Sequence, residues 1–377
     1  MKIMISAGEA SGDLHGAGLA KELLRLDSEV ELFGFGGNKM EEAGVRLVAN
    51  CSAYSVMGFW EVVKNLRRLM QLMDLLTEAL EEERPNLLVL IDYPDFNWRL
   101  AKRAKRLGIR VLSYIPPSAW AWRKGRAKDC AAVADAFVAI FPFELPPYRE
   151  AGANIVFLGN PLVDTVKPAL SAEAAREKFA LQPGEKCVLL LPGSRRQELA
   201  MLFPVMLKTA KRLQDEIPSV RFYVPVAPGV LPMSLERMSR DAGVDITYVE
   251  GQSYDLMQIA DVAIATSGTV VLEAALLGLP SVVLYRMSPI TYQIGRMLVH
   301  VDNFSLPNIL LGERVEPELL QDEAEPVRIA NEVHRLLEPA EASRIRERLS
   351  QLNEVLGESG AAARIAEYIL KEANQNV

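Results

Sequence analysis

The chain is predicted to be an α/β protein of two doubly wound, parallel-sheet domains, on three observations. Strand-like apolar runs alternate with helical periods along most of the 377 residues. The runs are nearly continuous in apolar residues, as strands are when helices cover both faces of their sheet. The length exceeds one ordinary domain.

The first run, Ile3-Met4-Ile5, leads into Gly8-Glu9-Ala10-Ser11-Gly12-Asp13, read as a loop of small residues before a helix. Gly8, Gly12, Gly16 and Gly18 remove side chains where backbone approaches something closely. Glu9, Ser11, Asp13 and His15 bring polar groups into the same space, so His15 is expected to touch a ligand there. Ligands of open parallel sheets sit at the carboxyl ends of the strands, so the chain begins with half of a binding site. Further strands are expected at 30–35, 87–92, 111–115 and 136–140, then at 187–191, 220–224, 245–249, 262–265 and 281–284. Glycine and proline cluster at 158–168, LGNPLVDTVKP, which places a domain boundary there. The expected units are therefore 1–163, 164–340 and a helical segment, 341–377, that packs back on an N-terminal domain.

Composition is that of an ordinary globular protein, 50% hydrophobic and 24% charged. The net charge of -7 and the lack of a recognisable binding module argue against a nucleic-acid partner. Cys51, Cys130 and Cys187 are odd in number, scattered and set in apolar surroundings, which reads as reduced core cysteines of a cytosolic protein. No signal-peptide pattern and no apolar stretch of membrane-spanning length is expected.

Three segments carry the chemistry. The run Leu88 to Ile91 ends in Asp92-Tyr93-Pro94-Asp95. A carboxylate at the ligand edge of a sheet can take a proton from a nucleophilic hydroxyl, so Asp92 is a candidate general base. Asp95, before a helix, reads as a cap, and Asp92 can also be read as a turn residue. In the second half, the run 188–191 ends in Pro192-Gly193-Ser194-Arg195 with Glu198 following, again a strand, a glycine turn and a helix. Gly193 and Ser194 offer backbone N–H groups suited to phosphate, and Arg195 adds a cationic fork. The Gly-Lys-Ser/Thr ending of a P-loop is missing, so nucleotide hydrolysis is not indicated. A capped helix with solvated arginines is the alternative. The third segment, Thr266-Ser267-Gly268-Thr269 with Glu273, is a second small-residue turn suited to a diphosphate. Glu273 is placed to hold a ribose diol, or serves only as a helix N-terminal carboxylate. Two such turns after different strands strengthen the nucleotide reading.

Gly34-Phe35-Gly36-Gly37 resembles part of a dinucleotide fingerprint, but Lys39 stands where the third glycine belongs, and no nicotinamide or flavin cofactor is expected. No Asp-x-Asp pair or Cys/His cluster with ligand spacing suggests a metal. Ten basic residues and no acidic one lie between Arg99 and Lys128, with Trp120 and Trp122 inside the run. Upstream, Phe59, Trp60, Val63, Leu66, Arg67 and Arg68 mix apolar and cationic groups on a helical period. That mixture suits a membrane interface or an anionic lipid, and equally an amphipathic core helix beside a solvated basic face.

Together these segments resemble the lipid-A-disaccharide synthase family, inverting glycosyltransferases that join two acylated glucosamines. The resemblance rests on Gly8 to Asp13, Ile91 to Asn97, Pro117-Ser118-Ala119-Trp120-Ala121-Trp122-Arg123, Leu191 to Arg195 with Glu198, Thr266 to Thr269 with Glu273, and Ser305-Leu306-Pro307-Asn308. It implies a GT-B architecture, two Rossmann-like domains facing across a cleft with C-terminal helices crossing back. It implies a UDP-2,3-diacylglucosamine donor, a 2,3-diacylglucosamine 1-phosphate acceptor and no metal. By it, Asp92 deprotonates the acceptor 6-hydroxyl, and Glu9 and Ser11 shape the acceptor-side loop. Arg195, Glu198, Ser267, Gly268, Thr269, Glu273 and Asn308 hold UDP. The enzyme is expected at the inner-leaflet membrane surface, cytoplasmic and peripheral, and a homodimer that exchanges its C-terminal segment is one form the family allows. A UDP-sugar 2-epimerase of similar shape, or a non-catalytic nucleotide-sugar or lipid-binding protein, are the alternatives.

Overall fold

Seven strands, all parallel, make the first sheet: β1 (Lys2–Ala7), β2 (Glu31–Gly36), β3 (Arg46–Asn50), β4 (Leu87–Ile91), β5 (Arg110–Tyr114), β6 (Ala136–Ala139) and β7 (Ile155–Phe157). Six more, also parallel, make the second: β8 (Lys186–Leu191), β9 (Val220–Val226), β10 (Ile246–Glu250), β11 (Val262–Thr266), β12 (Ser281–Tyr285) and β13 (Glu318–Leu320). The computed structural model describes residues 1–54, 59–119, 125–227, 229–288, 292–293 and 302–376, the side chains of 59–66 and 376 excepted.

The orders are β3-β2-β1-β4-β5-β6-β7 and β10-β9-β8-β11-β12-β13. Each reverses direction once, between β1 and β4 in the first sheet and between β8 and β11 in the second. Ligands bind at such reversals in open parallel sheets, because the connections diverge there and leave a crevice at the strand ends.

The sequence-expected strands all form. The edge strands β3, β7 and β13 were not expected: β7 and β13 have three residues each, and β3 is only partly buried and weakly patterned. Gly8-to-Asp13 is not a loop throughout: α1 (Ala10–Leu26) starts two residues after Gly8, with Glu9 as its N-cap. The remaining labelled helices are α2 (Asn38–Glu42), α3 (Phe59–Glu83), α4 (Pro94–Arg106), α5 (Gly125–Ala131), α6 (Leu145–Glu150), α7 (Leu162–Thr165), α8 (Ala172–Lys178), α9 (Arg196–Glu216), α10 (Pro232–Asp241), α11 (Ser253–Ile259) and α12 (Thr269–Leu276).

One compact unit comprises Met1–Pro161 with Leu356–Val377, the other Leu162–Val355. In the first unit one sheet face is covered by α1 and by the helix Ala361–Ala373, which packs on α1. The opposite face is covered by Leu72, Leu76 and Leu80 of α3 and Leu100, Ala101 and Ala104 of α4. The return to the first unit begins at Leu356 and not at 341. The helix Pro339–Ser350 packs on α12 and on the helix Pro326–Leu337, so it belongs to the second unit. No helix among the described residues is long and apolar enough to cross a membrane.

Candidate active site

In the first unit, β1 and β4 end side by side, with Ala7 opposite Ile91. Gly8 and Glu9 therefore leave one strand beside Asp92 on the other. A Cβ on Gly8 would lie 2.2 Å from Cδ1 of Tyr93, so only glycine lets that ring pack against the turn. Burial, the Glu9 charge and Cys51 push the Tyr93 phenol up. Asp92 is half-buried, and Glu9 and Ser11 are exposed at the start of α1.

Two polar residues of this segment have structural duties. Asp13 is buried, and its carboxylate accepts N–H bonds from Gly37 (2.8 Å), Met40 (3.0 Å) and Lys39 (3.2 Å), capping α2. His15 lies on α1 with its ring edge-on to Tyr114, centroids 6.1 Å apart, and burial lowers its pKa. Asn97, which the sequence reading did not single out as a site residue, is buried against the ends of both β1 and β4.

In the second unit, a cavity of about 890 Å³ opens at the reversal between β8 and β11. Gly193, Ser194, Arg195, Glu198, Ser267, Gly268, Thr269 and Glu273 all line it, so both small-residue turns meet on one space. Gly193 has φ +95°, and a Cβ there would lie 2.4 Å from Oε2 of Glu198, so the turn requires glycine on both counts. Glu198 accepts N–H bonds from the Arg195 backbone at 3.3 Å and its Nη1 at 3.1 Å. Its contribution is to hold the turn and aim the guanidinium. The Ser267 hydroxyl donates to the Phe304 carbonyl at 3.2 Å, docking that segment on the turn. Thr266 lines the cavity at the end of β11, and its buried hydroxyl has no hydrogen-bond partner among the described residues. Burial pushes the Glu273 carboxyl up, and the Tyr254 phenol rises to about 12 from burial and the charge of Glu273. The segment Gly251 to Tyr254 also lines the cavity and was not singled out from the sequence. It too is a glycine turn between a strand and a helix, with Gly251 at φ +72° between β10 and α11.

Asn308 is a correction. Its side chain is buried, with Nδ2 donating to Glu316 O (2.9 Å) and Glu318 Oε1 (2.8 Å). Its Oδ1 accepts from the N–H groups of Val315 and Glu316, both at 2.9 Å. All four positions of the amide are used within the chain, and none is left for UDP. Glu318 also accepts from Phe304 N and Ser305 N, so Asn308 steadies the segment that Ser267 holds.

Among the expected lipid-facing residues, Arg67 and Arg68 are exposed, with the Arg68 guanidinium 5.8 Å from the Tyr54 ring centre. The side chains of Phe59, Trp60, Val63 and Leu66 lie outside the described residues, as do Trp120 and Trp122.

Two Rossmann-like units, each with its crevice at a strand-order reversal, define a protein of the GT-B class. Solved structures agree on the fold. A UDP-GlcNAc 2-epimerase from Neisseria meningitidis, solved bound to UDP-GlcNAc, superposes with a TM-score of 0.68 at 14% identity, covering 98% of this chain and 100% of that one. MurG from Acinetobacter baumannii gives 0.60 at 13%, covering 98% and 99%. The family model for lipid-A-disaccharide synthetase matches residues 3–373. The lipid-A-disaccharide synthase of Geobacter sulfurreducens is 44% identical over 377 residues, 100% of this chain and 98% of that protein. That of Nitrosococcus oceani is 40% identical over 366 residues, 97% and 94%. The chain belongs to the lipid-A-disaccharide synthetase family. It is a glycosyltransferase of lipid A disaccharide synthesis, using a UDP-sugar donor and a glycosyl acceptor. The epimerase alternative rests on a fold likeness at 14% identity and yields to this sequence relationship.

Proposed function

We propose that the enzyme transfers the sugar of UDP-2,3-diacylglucosamine to the 6-hydroxyl of 2,3-diacylglucosamine 1-phosphate, with Asp92 as general base. The observation that carries this reading is the convergence of the two phosphate-suited turns on one cavity. The start of α9 and of α12, with Arg195, would hold the diphosphate and stabilise the leaving UDP as negative charge builds on it. Glu273 would accept hydrogen bonds from the ribose diol.

In the first unit Asp92 stands at the other strand-order reversal, where the acceptor sugar would sit beside Glu9 and Ser11. Its carboxylate takes the proton as the hydroxyl oxygen attacks C1 of the donor sugar. The C1–oxygen bond to UDP breaks as the glycosidic bond forms, and the configuration inverts. The exposed Arg67 and Arg68 and the basic run from Arg99 support a peripheral position on the anionic inner leaflet, where both acylated substrates reside.

The test is turnover with both lipid substrates in mild detergent, comparing the parent with Asp92→Asn. The parent should release UDP and a disaccharide 1-phosphate. Asp92→Asn should lower kcat by about two to four orders of magnitude, a loss of general-base size, with UDP affinity unchanged. Turnover near the parent's would remove Asp92 as base.

A further inference from the structure

The reaction needs the Asp92 carboxylate aimed, and the chain around it is strained. Asp92 and Tyr93 adopt left-handed backbone one after the other, with φ +48° and +49°. L-residues with a Cβ disfavour that region, and such strain persists only where the surroundings over-determine it.

Asn97 supplies that hold. Its side chain is 1% exposed. Nδ2 donates to the Asp92 carbonyl at 2.7 Å, and at longer range to Ser6 O (3.2 Å) and Ile91 O (3.3 Å). Oδ1 accepts the Ser6 hydroxyl at 2.7 Å, and the carbonyls around Nδ2, which can only accept, fix which way the amide faces. The Asn97 backbone N–H bonds Tyr93 O at 3.0 Å, in the first turn of α4. One amide thus ties together the ends of the two strands that border the crevice and the strained peptide between Asp92 and Tyr93. From the far side, the Tyr93 ring is packed against Gly8. A carboxylate at position 97 would have no N–H to donate, and a shorter side chain would lose the bridge.

We infer that Asn97 is a positioning residue for glycosyl transfer: with Ser6 it holds the Asp92 peptide in the left-handed conformation that presents the carboxylate to the acceptor hydroxyl. This rests on the reading of Asp92 as base. Asn97 touches no substrate in this scheme, and its effect passes through Asp92.

The experiment uses the full chain in five forms: Asn97→Ala, Ser6→Ala, Asp92→Asn, and Asp92→Asn combined with each of the first two. It reads kcat, both KM values, UDP affinity and the melting curve. Asn97→Ala should lower kcat by about ten- to a hundredfold, the size of a sub-ångström to 1 Å misplacement. KM values and UDP affinity should stay within about threefold of the parent. In the Asp92→Asn background the same substitution should cost nothing more, because residues acting as one unit are not additive. Ser6→Ala, which keeps the amide, should lower kcat about three- to tenfold with the same non-additivity. A loss that multiplies onto Asp92→Asn would overturn the inference, since general loosening does not depend on Asp92. Full kcat in either single variant would also overturn it. If Asn97→Ala fails to fold by its melting curve, the Ser6→Ala pair decides on the same terms. Parent-like turnover in Asp92→Asn itself would instead remove the base reading, and this inference with it.

Discussion

Arg195 and Glu198 show how one residue's role is set by its neighbour. Arg195 is mostly exposed, but Glu198 holds both its backbone N–H and its guanidinium, so the fork is pre-aimed along the cavity wall. Charge-assisted bonds to phosphate are about twice as strong as neutral ones, and losing one costs roughly 1.5–3 kcal/mol. Arg195→Ala should therefore weaken UDP binding by about ten- to a hundredfold in titration calorimetry. Unchanged affinity would place the diphosphate elsewhere. The two small-residue turns were legible in the sequence because glycine and small polar residues between a strand and a helix mark a tight turn. Asp13 and Asn308 were not legible in the same way. Both are short polar residues in suggestive motifs, but tertiary contacts bring backbone N–H groups within their reach, and those groups claim them.

Among elements, the central strands and the edge strand β10 could be read from the sequence, and the edge strands β3, β7 and β13 could not. β4, and β8 from Cys187 on, are buried on both faces and so are apolar. β7 and β13 have three residues each, and β13 opens with Glu318, whose buried carboxylate is satisfied by N–H groups far from it in sequence. The end of β6 carries a similar device. Glu144 accepts from the N–H groups of Ile140 and Phe141, yet burial outweighs them and pushes its carboxyl up to about 7. Between its ordinary value of 4.5 and about 7, the folded chain keeps a proton that the unfolded chain has released. The stability from this group is fully present below about pH 4.5 and is lost as pH rises through about 7. The loss is of the order of 1–3 kcal/mol. Glu144→Gln should lose less stability than the parent in urea melts between about pH 5 and pH 7. An equal slope in both proteins would mean that Glu144 ionises freely.

At the scale of the whole molecule, the chain leaves its first unit at Pro161 and re-enters it at Leu356. The returning helix places Ile365, Ala366, Ile369 and Ala373 in the same core as Ile3, Ile5 and Leu23. Arg110 pairs with Glu372, tying it to the start of β5. Ile369 is fully buried, so Ile369→Ala should destabilise the first unit by roughly 2–5 kcal/mol in denaturant melts. UDP affinity should be kept if the proposed donor site is right, because every described residue lining the cavity between β8 and β11 belongs to the second unit. A loss below about 0.5 kcal/mol would make the helix peripheral to that core.

The sequence by itself determined the α/β class, the central strands, the two phosphate-suited turns and the carboxylate at the end of β4. Each is a local matter: apolar runs of strand length, small residues where backbone must approach a ligand, and polar groups where a strand stops. Tertiary structure alone decided that the turns after β8 and β11 share one cavity, and that residues 356–377 complete the first core. It also decided that Asn308 is consumed by the loop it steadies, and that Asn97 braces the strained peptide at Asp92. The physical reason is that the fold brings together groups 91 to 262 residues apart at Asn97 and at the returning helix, and turns a nearer loop back on Asn308, so their partners become visible only once those neighbours are in place.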